Sequence, residues 1–549
     1  MLNKNRSIIF NSIKNFLMFL AYWLIFFLYH RTVIYDRLYL LIATNLLIMA
    51  IFLLSIYRIK LAFYIFIFLI PLLNSVCIIL GIRNVNIIFY IFLSLFMGFL
   101  VNRFKKIYEE MLIENFIGSG RIIYSSRYSN SLIIYEIDIA KPAFIFIIIL
   151  VISAIITIYR YANFVPFITS RFYNLTVNRY GHNATGAITW TLRYLFYYIA
   201  GLGLIFIAFN VIRKRKDFFI SFAVLLASSI PVIVVGLYQK YFNAGFGNIS
   251  FWINAGRINS TFTDPNALGS YVILLFPLFI ASVIFFKKWY FKIVTLVFLL
   301  LFVYLALLSG SRNAFLSMLI SISIFAVIGI SIALRYLLKK RVKKPNASAF
   351  LSAGIVVLII IIFISVFFGL LIGTDIFKPV TQLKATGNLL IDRVSETAGV
   401  YYETLKTKGF YKAIESISSG REILWKQAYY MFKDHPVSGV GQGAYFIELS
   451  DYHRKYHRGF HLIDFAGNYY LQILSELGFT GIVLVLFIFF LFIKKALGYF
   501  LRKNKNGELK KDDWLLTGLV ISFISMAVVF MLGSHTNFIE VQFLFCLVL

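Results

Sequence analysis

The stretch from Lys292 to Leu334, KIVTLVFLLLFVYLALLSGSRNAFLSMLISISIFAVIGISIAL, decides the class of fold. Two uninterrupted apolar runs, 292–308 and 314–334, stand on either side of a short turn that carries Arg312. A helix needs about 20 apolar residues to cross a hydrocarbon core of about 30 Å, so each run reads as a membrane span and the turn reads as surface. Lys287 and Lys288 precede the first run, and RYLLKKRVKK (335–344) follows the second. Because Lys and Arg collect in cytoplasmic connections, these flanks are assigned inside and the Arg312 turn outside.

The same pattern repeats in both directions along the chain. Spans are expected near residues 8–29, 38–57, 61–81, 85–101, 142–160, 189–212, 218–239, 270–286, 349–371, 474–493 and 514–533, with a short last run from Phe538 to Leu549. With 60% hydrophobic and 14% charged residues and a mean hydropathy of +0.84, the chain is far too apolar for a soluble domain. The expected fold is therefore all-α: a polytopic membrane protein of about 13–14 transmembrane helices, forming one integral membrane domain over residues 1–549. The first run is too long for a signal-peptide core and lacks a small-x-small cleavage site, so it reads as a retained anchor with a cytoplasmic N-terminus.

A net charge of +30 could indicate nucleic acid, but the cations form no single patch. They punctuate alternate connections: Arg213–Lys216, Lys287–Lys288, Arg335–Lys344 and Lys494–Lys511. No nucleic-acid partner is expected; membrane lipid is. Cys77 and Cys546 lie far apart in apolar runs and read as buried thiols. No Walker-type phosphate loop is present, which argues against an ATP-driven pump.

The sidedness leaves one large external connection, residues 372–473, long enough to hold helices and to act as a lid over a site. Within it Tyr401–Ile417 and Arg421–Phe432 have the spacing of amphipathic helices, and Asp434-His435-Pro436 stops the second. Gly439, Gly441 and Gly443 follow, alternating with Val440 and Gln442; such a run permits tight backbone turns or close approach to a ligand, and a plain loop is the preferred reading.

Three external arginines stand in unusual settings: Arg257 in GRINSTFTDPNALGS, Arg312 in LSGSRNAFL and Arg421 in SGREILW. A guanidinium offers a fixed charge and a planar fork of donors, which suits the oxygens of a diphosphate. Each taken singly is also what an interfacial arginine snorkelling to headgroups would give, and Arg193 is read that way. The Arg312 turn opens a helix whose first amides favour an anion. Asp264, before Pro265, reads as a helix cap. His435, His453, His457 and His461 cluster in the large loop, where one could serve as a base. The HRKYH spacing of His453 and His457 resembles some zinc sites, but a solvated basic face is the preferred reading. The acidic pair Glu136 and Asp138 falls on the cytoplasmic side, so neither a metal nor another cofactor is expected.

Motif blocks then carry a family resemblance over about residues 190–500. RINSTFTDPNALGSY (257–271), LLSGSRNAFL (307–316), the Arg, Trp, His-Pro, Gly-x-Gly-x-Gly run from Arg421 to Phe446, and GNYYLQILSELGFTG (467–481) resemble the O-antigen ligase and O-antigen polymerase superfamily. Asn468, Gly478 and Gly481 fall at the spacing of that family's His-Asn and Gly-x-x-Gly signature. One departure stands out: the position of the ligase histidine is Gly467.

The resemblance implies a polyprenyl (undecaprenyl) diphosphate-linked glycan donor, a glycan or glycolipid acceptor, inversion at the anomeric carbon, and a site on the outer face of a bacterial inner membrane. It casts Arg257, Arg312 and Arg421 as diphosphate ligands, Arg421 also as a catalytic group, and His461 or Asp464 as the base. His435, Pro436, Gly439, Gly441 and Gly443 become parts of the lid. The missing histidine favours a polymerase, with a chain-length regulator as partner, over a ligase. A flippase for the same lipid-linked glycan is the alternative of another class, and the scarcity of charge within the spans speaks against it.

Overall fold

The apolar runs fold as helices. The computed structural model describes residues 15, 18–25, 38–72, 87–116, 140–162, 184–248, 250–338, 406–407, 421–457, 465–505, 512–533 and 538–549, and every regular element among them is an α-helix. In chain order these are α1 (Leu38–Tyr57), α2 (Ile59–Leu69), α3 (Ile87–Phe116), α4 (Ala140–Ala162), α5 (Ala184–Val211), α6 (Arg215–Ala227), α7 (Ser229–Tyr241) and α8 (Ser250–Asn254). There follow α9 (Pro265–Phe285), α10 (Trp289–Ser309), α11 (Arg312–Leu338), α12 (Arg421–Asp434), α13 (Tyr445–His457), α14 (Tyr469–Lys505), α15 (Asp513–Val529) and α16 (Ile539–Val548). Among the described residues seven helical spans are long and apolar enough to cross a membrane, α6 and α7 together forming one of them, and shorter apolar helices accompany them. The expected span at 349–371 and most of that at 8–29 lie outside the described residues.

One helix sits at the centre because it is apolar all round. α9 is buried along nearly its whole length, as a helix with no polar face must be. It packs against α10, α11, α15 and α16. Small residues let α15 approach it closely: a Cβ on Gly518 would come within 2.7 Å of the Ala281 Cβ, the device that brings helices together where lipid gives no hydrophobic drive. The Ser522 hydroxyl donates to the Leu274 carbonyl at 2.6 Å, and the Ser321 and Ser525 hydroxyls meet at 2.8 Å. On the other side α1, α2 and α3 pack together, α3 meets α5, and α5 meets α4 and α16. A Phe66–Phe543–Phe92 cluster, with centroids 5.0–5.9 Å apart, joins these layers to α16.

Two spans depart from a simple rod. The run 218–239 is two helices that break at Ser228, because Pro231 has no amide proton for Ala227 and its ring crowds that carbonyl. The run 474–493 belongs to the longer α14, which carries a non-helical residue, Gly478 at φ 64° and ψ −158°.

The bundle has two chemically different ends. At one, Lys60 bonds Asp217 at 2.6 Å, Arg215 pairs with Asp512, Arg103 donates to Asn210 Oδ1 at 3.2 Å and Tyr499 donates to Asp513 at 2.7 Å. At the other lie the N-termini of α9, α11 and α14, the C-termini of α10 and α15, and all three arginines singled out in the sequence.

Candidate functional site

Arg257 is fixed by its own segment before it meets anything else. Its amide donates to the Trp252 carbonyl at 2.9 Å, and its guanidinium lies 5.0 Å from the Trp252 ring centroid. Nε donates to the Ser309 carbonyl at 2.7 Å and Nη2 to Asn266 Oδ1 at 3.0 Å, so the buried side chain bridges the end of α10 to the start of α9. Asp264 caps α9 as expected: its Oδ1 accepts the Asn266 amide at 2.6 Å, and Pro265 takes the first turn. Burial pushes the Asp264 carboxyl above its ordinary value, against the Asn266 bonds and the nearby Arg257 charge.

The segment between them is strained and braced. Ser260 has φ 51°, a conformation unfavourable for a residue with a Cβ. Gln239 of α7 holds it, accepting the Ser260 amide at 2.7 Å and donating to its carbonyl at 3.1 Å, while the Ser260 hydroxyl bonds the Val232 carbonyl. No local pattern marks Gln239 for this role, since its partner is on another element.

The Arg312 turn is locked onto α9. A Cβ on Gly269 would stand 2.6 Å from Ser311 Oγ, so only glycine allows that approach. Arg312 opens α11. The next residue, Asn313, donates to the Leu532 carbonyl at 3.3 Å, and Arg421 Nη1 donates to the same carbonyl. Thus Arg257 holds the carbonyl that begins the Ser309–Arg312 turn, and Arg421 shares an acceptor with the residue that follows it. Three segments distant in sequence converge at one end of the bundle.

Arg421 also explains Gly467. A Cβ there would lie 3.1 Å from Arg421 Cδ and 3.4 Å from its Cγ and Nε, at a residue with φ +62°. The stem of the arginine occupies the space beside the position where ligases carry histidine.

The glycine-rich run is a plug for a broken helix. At Gly478 the helix ladder of α14 stops, and a broken backbone at membrane depth requires other partners. The run after α12 supplies them. The Val440 amide donates to the Ser475 carbonyl at 2.8 Å and the Gly441 amide to the Glu476 carbonyl at 2.9 Å, while the Phe479 amide donates to the Pro436 carbonyl at 2.8 Å. The Gly443 amide is bound at 3.0 Å by the buried Glu476 carboxylate. A Cβ on Gly439 would lie 2.3 Å from the Glu476 carbonyl carbon, and one on Gly478 would lie 2.4 Å from the Val437 oxygen. The run is therefore not a plain loop: its glycines let the chain pack directly on the backbone of α14.

The plug is clamped from outside by a pair the sequence reading missed. Arg160, in the last turn of α4, donates to the Val440 carbonyl at 2.6 Å and to Glu448 of α13 at 2.6 Å, both partners buried. Asn468 accepts the Leu471 amide at 3.1 Å and so caps α14, and the Tyr469 amide reaches the Phe530 carbonyl at 2.8 Å. Gly481 stands one turn beyond, over the Leu477 side chain.

The histidines fall differently from expectation. His435 is half-buried at the end of α12; burial pushes it below the ordinary histidine value, Asp434 pulls it up, and Arg160 and Lys455 add to the lowering. His453 is buried, not on a solvated face: the exposed cations of α13 are Arg454 and Lys455, because the period of the helix turns His453 with Leu449 and Tyr452 inward. Lys455 bonds Asp434 at 2.9 Å, joining α13 to α12. His461 and Asp464 lie outside the described residues, as does most of 401–417. Arg193 is half-buried within electrostatic reach of Tyr194 and Tyr197 on its own helix. Cys546 is a buried free thiol; Cys77 is outside the described residues.

Residues 295–486 match the family model described as O-antigen ligase. Over that region the chain is similar to the O-antigen ligase and polymerase superfamily. The matched region runs from α10 into α14 and takes in Arg312, Arg421, the glycine plug, Asn468, Gly478 and Gly481; Arg257 lies before it. No curated protein matches the chain. The similarity supports a membrane protein of the glycan-transferring type, a family for which a lipid-linked donor and a glycan acceptor are implied.

Proposed function

We propose that the chain transfers an oligosaccharide from a polyprenyl diphosphate to a sugar hydroxyl on the outer face of the inner membrane, and that it is a polymerase of repeat units. The observation that carries this reading is that Arg257, on the Ser309 carbonyl, and Arg421, on the Leu532 carbonyl that Asn313 also meets, hold the two sides of the turn that carries Arg312. The alternation of basic connections supports the placement of that end outside.

In the proposed reaction the acceptor oxygen attacks the anomeric carbon as the bond from that carbon to the diphosphate oxygen breaks. The diphosphate leaves with the bonding pair, the acceptor proton passes to His461 or Asp464, and the anomeric configuration inverts. The arginines stabilise the charge growing on the leaving oxygens, aided by the first amides of α11. No metal is assigned a step. The segment 372–473, with α12 and α13, covers the acceptor.

Gly467 favours polymerase over ligase, because Arg421 packs where a ligase histidine would begin. The test is reconstitution with lipid-linked repeat units and no nucleotide, with products run on a gel. A ladder supports the polymerase. Single addition to a lipid acceptor supports a ligase, and unaltered substrate carried across the bilayer overturns the enzymatic reading.

A further inference from the structure

At the basic end, opposite the arginine turns, the bundle leaves a gap. Helix α7 packs on α10, whereas α6, beyond the break at Ser228, packs on α2. Between α6, α9 and α10 lies a groove of about 800 Å³, lined by Phe219, Leu226, Ile230, Phe285, Phe291 and Phe298 among others, with little polar surface except at its end. Its α6 wall runs from Arg215 to Ala227, a rise of about 18 Å. That is close to one leaflet's share, about 15 Å, of the hydrocarbon core. Phe291, Val294 and Ile230 are exposed along it, so it opens sideways.

Arg215 stands at its rim, and Lys214, Lys216 and Lys288 are its exposed neighbours. The Arg215 side chain remains 73% exposed while paired with Asp512, which leaves room for a second anion beside it. An apolar slot one leaflet deep, ending in a cluster of cations, is the shape and charge of one membrane lipid with a negative headgroup.

We infer that this groove binds an anionic diacyl phospholipid of the leaflet at the basic end, one acyl chain lying along α6 and its phosphate on Arg215. The lipid wedges the α6–α10 gap that the Ser228 break creates. It is distinct from the lipid-linked donor, whose diphosphate belongs to the opposite end.

The full chain is purified in nanodiscs holding equal phosphatidylglycerol and phosphatidylcholine, transferred to detergent, and its retained lipids are weighed by native mass spectrometry. The native chain keeps one phosphatidylglycerol, enriched about fivefold over phosphatidylcholine, as one basic contact at a membrane surface provides. Ala223→Trp fills the groove and abolishes retention; Arg215→Ala retains lipid but loses the headgroup preference. Ile155→Trp, on the exposed face of α4, changes neither. A melting curve checks that Ala223→Trp folds; should it not, the exposed Arg215 decides. Equal phosphatidylglycerol retention in both groove variants overturns the inference, as does recovery of a polyprenyl phosphate instead of a diacyl lipid. Glycan transfer is not the readout, so failure here is distinguishable from failure of the proposed reaction.

Discussion

The two ends of the bundle use the same kind of side chain for different work. At the basic end cations meet carboxylates: Lys60 with Asp217 and Arg215 with Asp512. At the opposite end Arg257 and Arg421 meet carbonyl and amide oxygens at Ser309, Asn266 and Leu532. A carboxylate neutralises its partner, while a carbonyl orients the planar guanidinium fork through its donors. The first arrangement ties helices together; in the proposed reaction the second holds positive charge for an anion brought by the substrate.

Breaking the frame around the arginine end has the largest effect. Arg160→Ala leaves the buried Glu448 without its cation, at a cost of about 3–5 kcal/mol, read as a lower melting temperature and early proteolysis between α12 and α13. Arg421→Ala acts on chemistry instead: turnover falls about 10²–10³-fold, as for loss of one donor to a developing anion, with the melting temperature little changed. Arg421→Lys recovers only part of it, because the fork is lost. If Arg421→Ala retains full turnover, the contrast between the ends is wrong.

Gly478→Ala puts a Cβ against the Val437 carbonyl at a left-handed residue and lowers stability by about 1–3 kcal/mol. The smallest effect is a pH dependence. Burial holds His435 below 6.5 in the folded chain, so the unfolded chain protonates first. Stability is therefore full above pH 6.5 and declines as pH falls through 6.5, levelling once the folded residue also protonates. His435→Gln removes that slope in melts taken between neutral and mildly acidic pH.

Much of this was legible in the sequence because the membrane imposes length and apolarity on every span. The cap at Asp264 and the end of α12 at Asp434 could be read locally. The break at Gly478 could not, since apolar residues continue through it, and its repair by Pro436, Val440 and Gly441 comes from another segment. The Arg160–Glu448 pair joins residues 288 apart in sequence, a separation no local pattern encodes. His453 was misread because charge on its neighbours outweighed the turn of the helix. Gly467 was visible as a departure, but its reason, the Arg421 stem, needed the third dimension.

The most direct measurement is the affinity of the detergent-solubilised chain for a polyprenyl diphosphate. Arg257→Gln, Arg312→Gln and Arg421→Gln should each weaken it about tenfold or more, the scale of a lost charged hydrogen bond, while Lys60→Gln at the basic end leaves it unchanged. Equal affinity across all four variants, or a loss in Lys60→Gln as large as in the arginine variants, would contradict the account.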